Sequence, residues 1–345
     1  MAERPTESEV APPPLAASIV DVIGNTPMLE MTRLVEQRGL EGRLLLKLEY
    51  LNPGFSKKDR VGREMILQAR SDGSLAPGQT VVELTSGNTG TGLALACGAL
   101  GHPLVVVMSR GNSTERARMM QALGAEVVLV DQAPGATPGK VSGDDLALVD
   151  ERTREISIDR GAFRADQFTL ASSALAHERT TGPEMWTQAG GRIDVFIDFI
   201  GSAGSFAGVS RYLRRVNPSV RTYVVEPATA AVLAGRAVTD PGHRIQGGGY
   251  SMSDLPLFDP GLATGYVQVD DDTVMTTSRD LARLEGVFAG FSTGANVAAA
   301  LDLLDGPERG ATAAVLACDS GLKYLSTDLY PWREPASAPS SSAHA

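Results

Sequence analysis

Short apolar, β-branched runs alternate with helix-like stretches along most of this chain, and that alternation limits the fold more than any other feature. The runs include Leu44 to Leu48, Thr80 to Leu84, Leu104 to Val107, Glu126 to Val130, Asp194 to Asp198, Thr222 to Val225 and Ala313 to Ala317. Between them lie stretches such as Gly90 to Leu100, Ser113 to Leu123 and Asn296 to Leu304, which read as helices. Strands apolar on both faces and joined by helices belong in parallel sheets covered on both sides. The expected fold is therefore α/β, with mostly parallel sheets in three-layer α/β/α units. A chain of 345 residues is long enough for two such units with a site between them, at strand carboxyl ends and helix N-termini.

Composition removes several alternatives. The formal net charge of −10 disfavours nucleic acid or an anionic membrane surface as partner. No apolar run reaches membrane length, and the first residues lack a basic-then-apolar leader, so the cytoplasm is the default expectation. Residues 1–15 and 334–345, rich in Pro, Ser, Ala or Glu, are expected to be disordered. Cys97 and Cys318 each lie in an apolar run and read as buried, reduced thiols. No cysteine spacing suggests a metal site, and His102, His177, His243 and His344 form no ligand cluster, so no metal is expected. The stretch from Gln132 to Asp145, with Pro134, Gly135, Pro138 and Gly139, breaks the rhythm and reads either as a lid or as a plain surface excursion.

Four segments carry candidate chemistry. The first is Asn52-Pro53-Gly54-Phe55-Ser56-Lys57-Lys58-Asp59-Arg60, which places Lys58 at the start of a helix. A lone lysine there is ordinarily solvated. Here Asp59 can cap the first turn, Arg60 can hold a carboxylate from elsewhere, and the positive helix end lowers the basicity of the amine. Lys57 adds like charge or faces water. The second segment is Thr85-Ser86-Gly87-Asn88-Thr89-Gly90, a hydroxyl-rich turn opening a helix, suited to a carboxylate or phosphate, or else a simple N-cap. The third is Gly201-Ser202-Ala203-Gly204-Ser205, after the strand-like run ending at Ile200; its small residues and two hydroxyls suit a phosphate cradle. It does not match G-x-G-x-x-G, which disfavours a dinucleotide fingerprint. The fourth is Cys318-Asp319-Ser320-Gly321-Leu322-Lys323-Tyr324, where Ser320 can meet a ring nitrogen or serve as a turn residue. An amine able to form a Schiff base, near loops of free N–H donors, suits a pyridoxal phosphate enzyme acting on amino acids.

In this order the segments resemble the fold-type II pyridoxal phosphate enzymes (the tryptophan synthase β-like fold), specifically the cysteine synthase and cystathionine β-synthase family. The likeness runs from about Ile23 to Tyr330. It includes Ile23-Gly24-Asn25-Thr26-Pro27, Gln121 to Glu126, Thr180-Thr181-Gly182-Pro183-Glu184, Glu285 to Gly290 and Ser292-Thr293-Gly294-Ala295. The resemblance implies a smaller unit over 48–160 and a larger, cofactor-binding unit made of 16–47 and 161–330. It implies that Lys58 is the Schiff-base lysine and proton shuttle and that Asn88 bonds the ring oxygen of pyridoxal 5′-phosphate. Gly201, Ser202, Ala203, Gly204 and Ser205 would hold the cofactor phosphate, and Ser320 would sit at the pyridine nitrogen. Thr85, Ser86, Gly87, Thr89 and Gln167 would hold the substrate carboxylate, with Gly247, Gly248, Gly249 and Tyr250 as the other substrate loop. The implied reaction is β-replacement on an activated serine such as O-acetylserine, through an aminoacrylate, with sulfide, a thiol or an amine as nucleophile, in a homodimer.

This chain departs from the family pattern in places. Phe55 replaces a glycine before the serine, and Ala203 replaces a glycine in the phosphate turn. Leu170-Ala171-Ser172-Ser173 follows Gln167-Phe168, and Tyr250 follows three glycines, more as in cystathionine β-synthase than in cysteine synthase. These differences keep open thioether formation, a serine or threonine dehydratase, and a catalytically weak homologue that works by binding. Intact Lys58, Asn88 and Ser320 favour an enzyme.

Overall fold

The computed structural model describes residues 15–85, 87–135, 141 and 143–332. Its ten strands are β1 (Met28–Glu30), β2 (Arg43–Lys47), β3 (Val81–Leu84), β4 (Leu104–Ser109), β5 (Glu126–Val130), β6 (Phe163–Arg164), β7 (Val195–Phe199), β8 (Arg221–Pro227), β9 (Gly265–Val269) and β10 (Thr312–Leu316). They form two sheets, ordered β1-β2-β10-β7-β8-β9 and β5-β4-β3-β6. Among the described residues, the β1–β2 pairing is the one antiparallel pairing between these strands. The α/β, mostly parallel architecture is the expected one.

Each sheet is covered on both faces, because successive strand residues point to opposite sides. On β7, Val195, Ile197 and Phe199 pack toward the Phe291–Asp305 helix and its neighbours, while Phe196 packs with Phe206 and Leu213 of the Gly204–Val216 helix. On β10, Ala313 and Val315 join the first cluster, and Ala314 and Leu316 the second. The smaller sheet behaves likewise. Val81, Leu104 and Val106 face the Lys58–Ser71 and Asn88–Leu100 helices, and Val82, Val105 and Val107 face Val149 and Ile156 of the Gly143–Asp159 helix. Burying a Val or Leu side chain contributes about 1.5–3 kcal/mol, so these two-sided strands contribute strongly to the fold's stability.

The Lys58–Ser71 and Asn88–Leu100 helices touch through bare backbone. A Cβ on Gly62 would lie 2.4 Å from the carbonyl carbon of Gly92, and one on Gly92 would lie 2.5 Å from the carbonyl oxygen of Lys58. Glycine at both positions thus sets the distance between the helix that begins at Lys58 and the turn that follows β3.

Two readings of the sequence are revised. The helix Gly143–Asp159 begins inside the Gln132–Asp145 stretch, and the Asp145 carboxylate accepts from the Ala133 N–H at 2.6 Å, tying the preceding turn to that helix. Residues 136–140 and 142 of this stretch, like 1–14 and the tail from 333, lie outside the described residues. Lys57 does not face water: its side chain is 11% exposed. Cys97 and Cys318 are buried and unpaired. Among the described residues no helix is long and apolar enough to cross a membrane, and no group of three or more His, Cys, Asp or Glu could hold a metal ion.

Candidate active site

Four chain segments converge at the carboxyl ends of β3, β7 and β10. The loop before the lysine helix lies against the segment after β10: the Lys57 N–H donates to the Cys318 carbonyl at 2.8 Å, and the Ser320 N–H to the Phe55 carbonyl at 3.1 Å. Lys58 opens its helix, with its N–H donating to Ser56 Oγ at 3.3 Å. Its Nζ reaches Ser202 Oγ at 3.3 Å, so the amine lies at the 201–205 turn, on the far side of the cleft in sequence. Burial, then the charge of Lys57, depress this amine to about 8, which leaves a sizeable neutral fraction near neutral pH.

The helix carrying Lys58 is fixed by Arg60, as the sequence suggested. Its guanidinium donates to both carboxylate oxygens of Glu49, each at 2.7 Å, and to both oxygens of Glu184, at 2.6 and 2.7 Å. Lys47 completes the cluster with Nζ 2.7 Å from Glu184. Burial opposes the charge on Glu49, but Arg60 outweighs it and holds the carboxyl below its ordinary range. Asp59 acts on the loop, not as a helix cap: it accepts from the Gly54 N–H, and burial pushes its carboxyl up to about 7.

The turn after β7 is built for close approach. Ala203, at φ +64°, stands as the N-cap of the Gly204–Val216 helix in the left-handed region, where a side chain is strained. A Cβ on Gly204 would lie 2.6 Å from Ser173 Oγ, and one on Gly201 would lie 2.7 Å from the Gly247 carbonyl oxygen. The second contact brings the Gly247-Gly248-Gly249 loop to this turn, and the Gly249 N–H donates to the Ile200 carbonyl at 2.9 Å. Tyr250, next along, stands edge-on to Phe168 with ring centroids 6.2 Å apart.

The turn after β3 is organised by Thr85, whose Oγ1 accepts from the N–H groups of Gly87 and Gly90 at 3.1 and 3.3 Å. Thr89 Oγ1 donates to Gln167 Oε1 at 2.7 Å, so two residues far apart in sequence meet as expected. Ser86 lies outside the described residues. Asn88 is held at both ends of its amide: Nδ2 donates to Asp319 Oδ2 at 2.7 Å, and Oδ1 accepts from Lys323 Nζ at 2.7 Å. Tyr324 also donates to Asp319 Oδ2, at 2.6 Å. Ser320 Oγ accepts from the Leu322 N–H at 3.2 Å and caps the short 3₁₀ turn Gly321–Tyr324, which leaves its own O–H available as a donor.

Sequence reasoning missed the charged lining of this cleft. Asp319, Lys323 and Asp198 are all buried, and Asp319 Oδ1 is buried without a hydrogen-bond partner. Burial lowers Lys323 to about 8. Glu83, fully buried on β3, is raised well above the carboxylate range by burial and by Asp166. The available signal was the type of residue: Asp198 is a charge inside an otherwise apolar strand, and Asp319 and Lys323 lie in the run that carries Ser320.

Residues 19–319 match the family model described as pyridoxal-phosphate dependent enzyme. The chain is 39% identical over 312 residues to "Cysteine synthase 3" of Caenorhabditis elegans, covering 90% of this chain and 88% of that protein. It is 37% identical over 319 residues to "O-ureido-L-serine synthase" of Streptomyces lavendulae, covering 92% and 93%. Among solved structures it superposes with TM-score 0.85 on O-acetyl serine sulfhydrylase isoform 3 from Entamoeba histolytica, at 30% identity over 97% of this chain and 96% of the other. A half-buried amine of lowered basicity, facing a small-residue turn across a cleft of parallel strand ends, is thus found in a chain that belongs to the pyridoxal-phosphate dependent enzyme family.

Proposed function

We propose that this enzyme catalyses β-replacement on an activated serine of the O-acetylserine type, giving cysteine or a related β-substituted alanine. The observation that carries the reading is the placement of the half-buried Lys58 amine, lowered to about 8 and 3.3 Å from Ser202 in the turn after β7. The relatives named as cysteine synthase, O-ureido-L-serine synthase and O-acetyl serine sulfhydrylase support the same class of reaction.

The residues present fit pyridoxal phosphate. Ser202 and the N-terminus of the Gly204–Val216 helix form a donor set for a phosphate, with Ser205 beside them giving its hydrogen to Asp198, and a Cβ at Gly201 or Gly204 would collide with neighbouring atoms. When bound, the cofactor supplies an aldehyde that takes an amine and a ring that withdraws electrons from the substrate's α-carbon. Lys58 would hold the group through its amine and, when neutral, would take the substrate's α-proton. Asn88 keeps one Nδ2 hydrogen beyond that given to Asp319, available to a ring oxygen, and Ser320 offers its O–H to a ring nitrogen. Thr85, Ser86, Gly87, Thr89 and Gln167 form the carboxylate end of the substrate site in this reading, with Gly247 to Tyr250 on the facing side. We further read the 48–160 segment as a smaller unit against 16–47 and 161–330, and the enzyme as a cytoplasmic homodimer.

The test is a matrix of first substrates (O-acetylserine, O-phosphoserine, serine) against sulfide, thiols and amines, with products identified by mass. Formation of cysteine from O-acetylserine and sulfide is expected. Pyruvate and ammonia from serine without need of a nucleophile would establish a dehydratase instead, and no turnover by cofactor-loaded protein would establish a binding role.

A further inference from the structure

Lys57 is a buried lysine of the cleft, one residue before Lys58. Its Nζ lies 3.1 Å from Asp198 Oδ1, 3.4 Å from Oδ2 and 2.8 Å from Ser205 Oγ. Ser205 Oγ in turn donates to Asp198 Oδ2. Asp198 is fully buried on β7 and takes a further contact from Asn296 Nδ2 at 3.4 Å, while the Asn296 amide also donates to the Leu316 carbonyl at 2.9 Å. One ion pair therefore joins the start of the lysine helix to the end of β7 and to the last hydroxyl of the 201–205 turn. Breaking a buried pair at one partner is strongly destabilising, since it strands a desolvated charge.

We propose that Lys57 is a positioning residue for this reaction: with Asp198 it forms a buried latch that docks the lysine helix on the turn after β7 and keeps a permanent positive charge beside Lys58. This deepens the β-replacement reading and rests on it for the identity of Lys58 as the reacting amine. Two consequences follow from the geometry. First, Ser205 gives its hydrogen to Asp198 and accepts from Lys57, so its orientation is set by the latch and not by whatever occupies the turn. Second, the charge facing Lys58 is fixed. Burial opposes the Lys57 ammonium, yet Asp198 outweighs that and holds it above the ordinary lysine range. The other groups facing Lys58 are Asp198 from β7, Cys318 after β10 and Glu83 on β3. Burial pushes the Cys318 thiol up to about 11 against the opposing pull of Lys57, and burial, then Asp166, raises the Glu83 carboxyl well above its ordinary value. His177, buried beside Lys57, Arg60 and Lys58, is held well below its ordinary value, first by burial and then by Lys57, and stays neutral. Among the charged groups acting on Lys58, Lys57 has the largest effect.

The test uses the full-length chain, freed of cofactor, as Lys57→Met, Lys57→Arg, Asp198→Asn and the double variant Lys57→Met with Asp198→Asn. Competitive acetylation across pH, read by mass spectrometry at the peptide carrying Lys58, gives the titration midpoint of that amine without turnover. Lys57→Met removes a like charge and exposes Lys58 to unbalanced Asp198, so the midpoint rises by about one pH unit, a roughly tenfold drop in the neutral fraction near neutral pH. Lys57→Arg retains the parental midpoint. In urea unfolding, Lys57→Met and Asp198→Asn each lower the folding equilibrium constant by at least about 100-fold, and the double variant recovers at least about tenfold of that loss. An unchanged Lys58 midpoint in Lys57→Met, or a double variant no more stable than either single one, overturns the latch. Because neither readout uses turnover, a shifted midpoint in a protein without β-replacement activity would reject the function and keep the latch, and an unshifted midpoint in an active enzyme would do the reverse.

Discussion

Arg60→Met is the substitution whose cost the structure specifies most closely. The guanidinium is 2% exposed and makes four charge-assisted bonds of 2.6–2.7 Å, two to Glu49 and two to Glu184. Glu184 keeps Lys47 at 2.7 Å and the Asn25 N–H at 3.0 Å, so its charge stays compensated. Glu49 keeps only the Thr26 hydroxyl at 2.7 Å and the Asn52 amide at 3.2 Å, and has no solvent contact. The loss is therefore that of a buried carboxylate deprived of its cation, about 3–5 kcal/mol. Equilibrium urea unfolding at pH 8 should show a midpoint lower by roughly 1 M or more. The sign of the pH dependence is fixed as well. In the parent, Arg60 holds the Glu49 carboxyl below its ordinary range, and that stabilisation is complete above the unfolded value and lost only as pH falls through the folded one. In the variant, burial is opposed by the Thr26 hydrogen bond and the Lys47 charge but no longer by Arg60, so the Glu49 carboxyl rises and the residue takes up a proton more readily as pH falls from 8 to 5, relieving the stranded charge. The deficit should thus be largest at pH 8 and shrink at pH 5, and Glu49→Gln added to Arg60→Met should recover part of it at pH 8. A deficit under about 1 kcal/mol at pH 8, or one equal at both pH values, would refute the reasoning. Activity should fall alongside stability, because Arg60 is two residues from Lys58 on the helix that aims the amine.

Two further outcomes are expected. Ala203→Gly relieves a left-handed alanine at φ +64° and should stabilise the chain by about 0.5–1 kcal/mol in urea unfolding, with cofactor affinity kept or improved; a less stable variant would show that the alanine side chain packs usefully there. Cys97 and Cys318, raised by burial to about 12 and 11, should both resist a thiol-reactive dye at pH 8 in the folded protein and react once it is unfolded in urea; rapid labelling of Cys318 in the native state would mean that the cleft opens to solvent.

The strands were legible because burial on both faces leaves a run of Val, Leu and Ile that survives without context, as in β4, β7 and β10. Short or edge strands were not: β6 has two residues, and half-exposed β9, Gly265–Val269, mixes Gly, Tyr and Gln into its pattern. The start of the Gly143–Asp159 helix was hidden by the Pro and Gly before it, which read as one continuous loop. At the site, motif order singled out Lys58 and named Thr89 and Gln167 among the carboxylate residues without showing that they bond each other, and Arg60 followed from its place beside Lys58. The Lys57–Asp198 pair did not, since a lysine at a helix start usually points to water and its partner is 141 residues away. Asp319 and Lys323 were hidden for the same reason: a charge's burial depends on which strand ends the fold brings together, and no local pattern encodes that.

The most direct measurement is to load the enzyme with pyridoxal phosphate, reduce it with borohydride, digest it and locate the pyridoxyl group by mass spectrometry. The label should sit on Lys58 alone, with Lys57 unmodified. A label on Lys57, on Lys323 or on no lysine of the cleft would contradict the account.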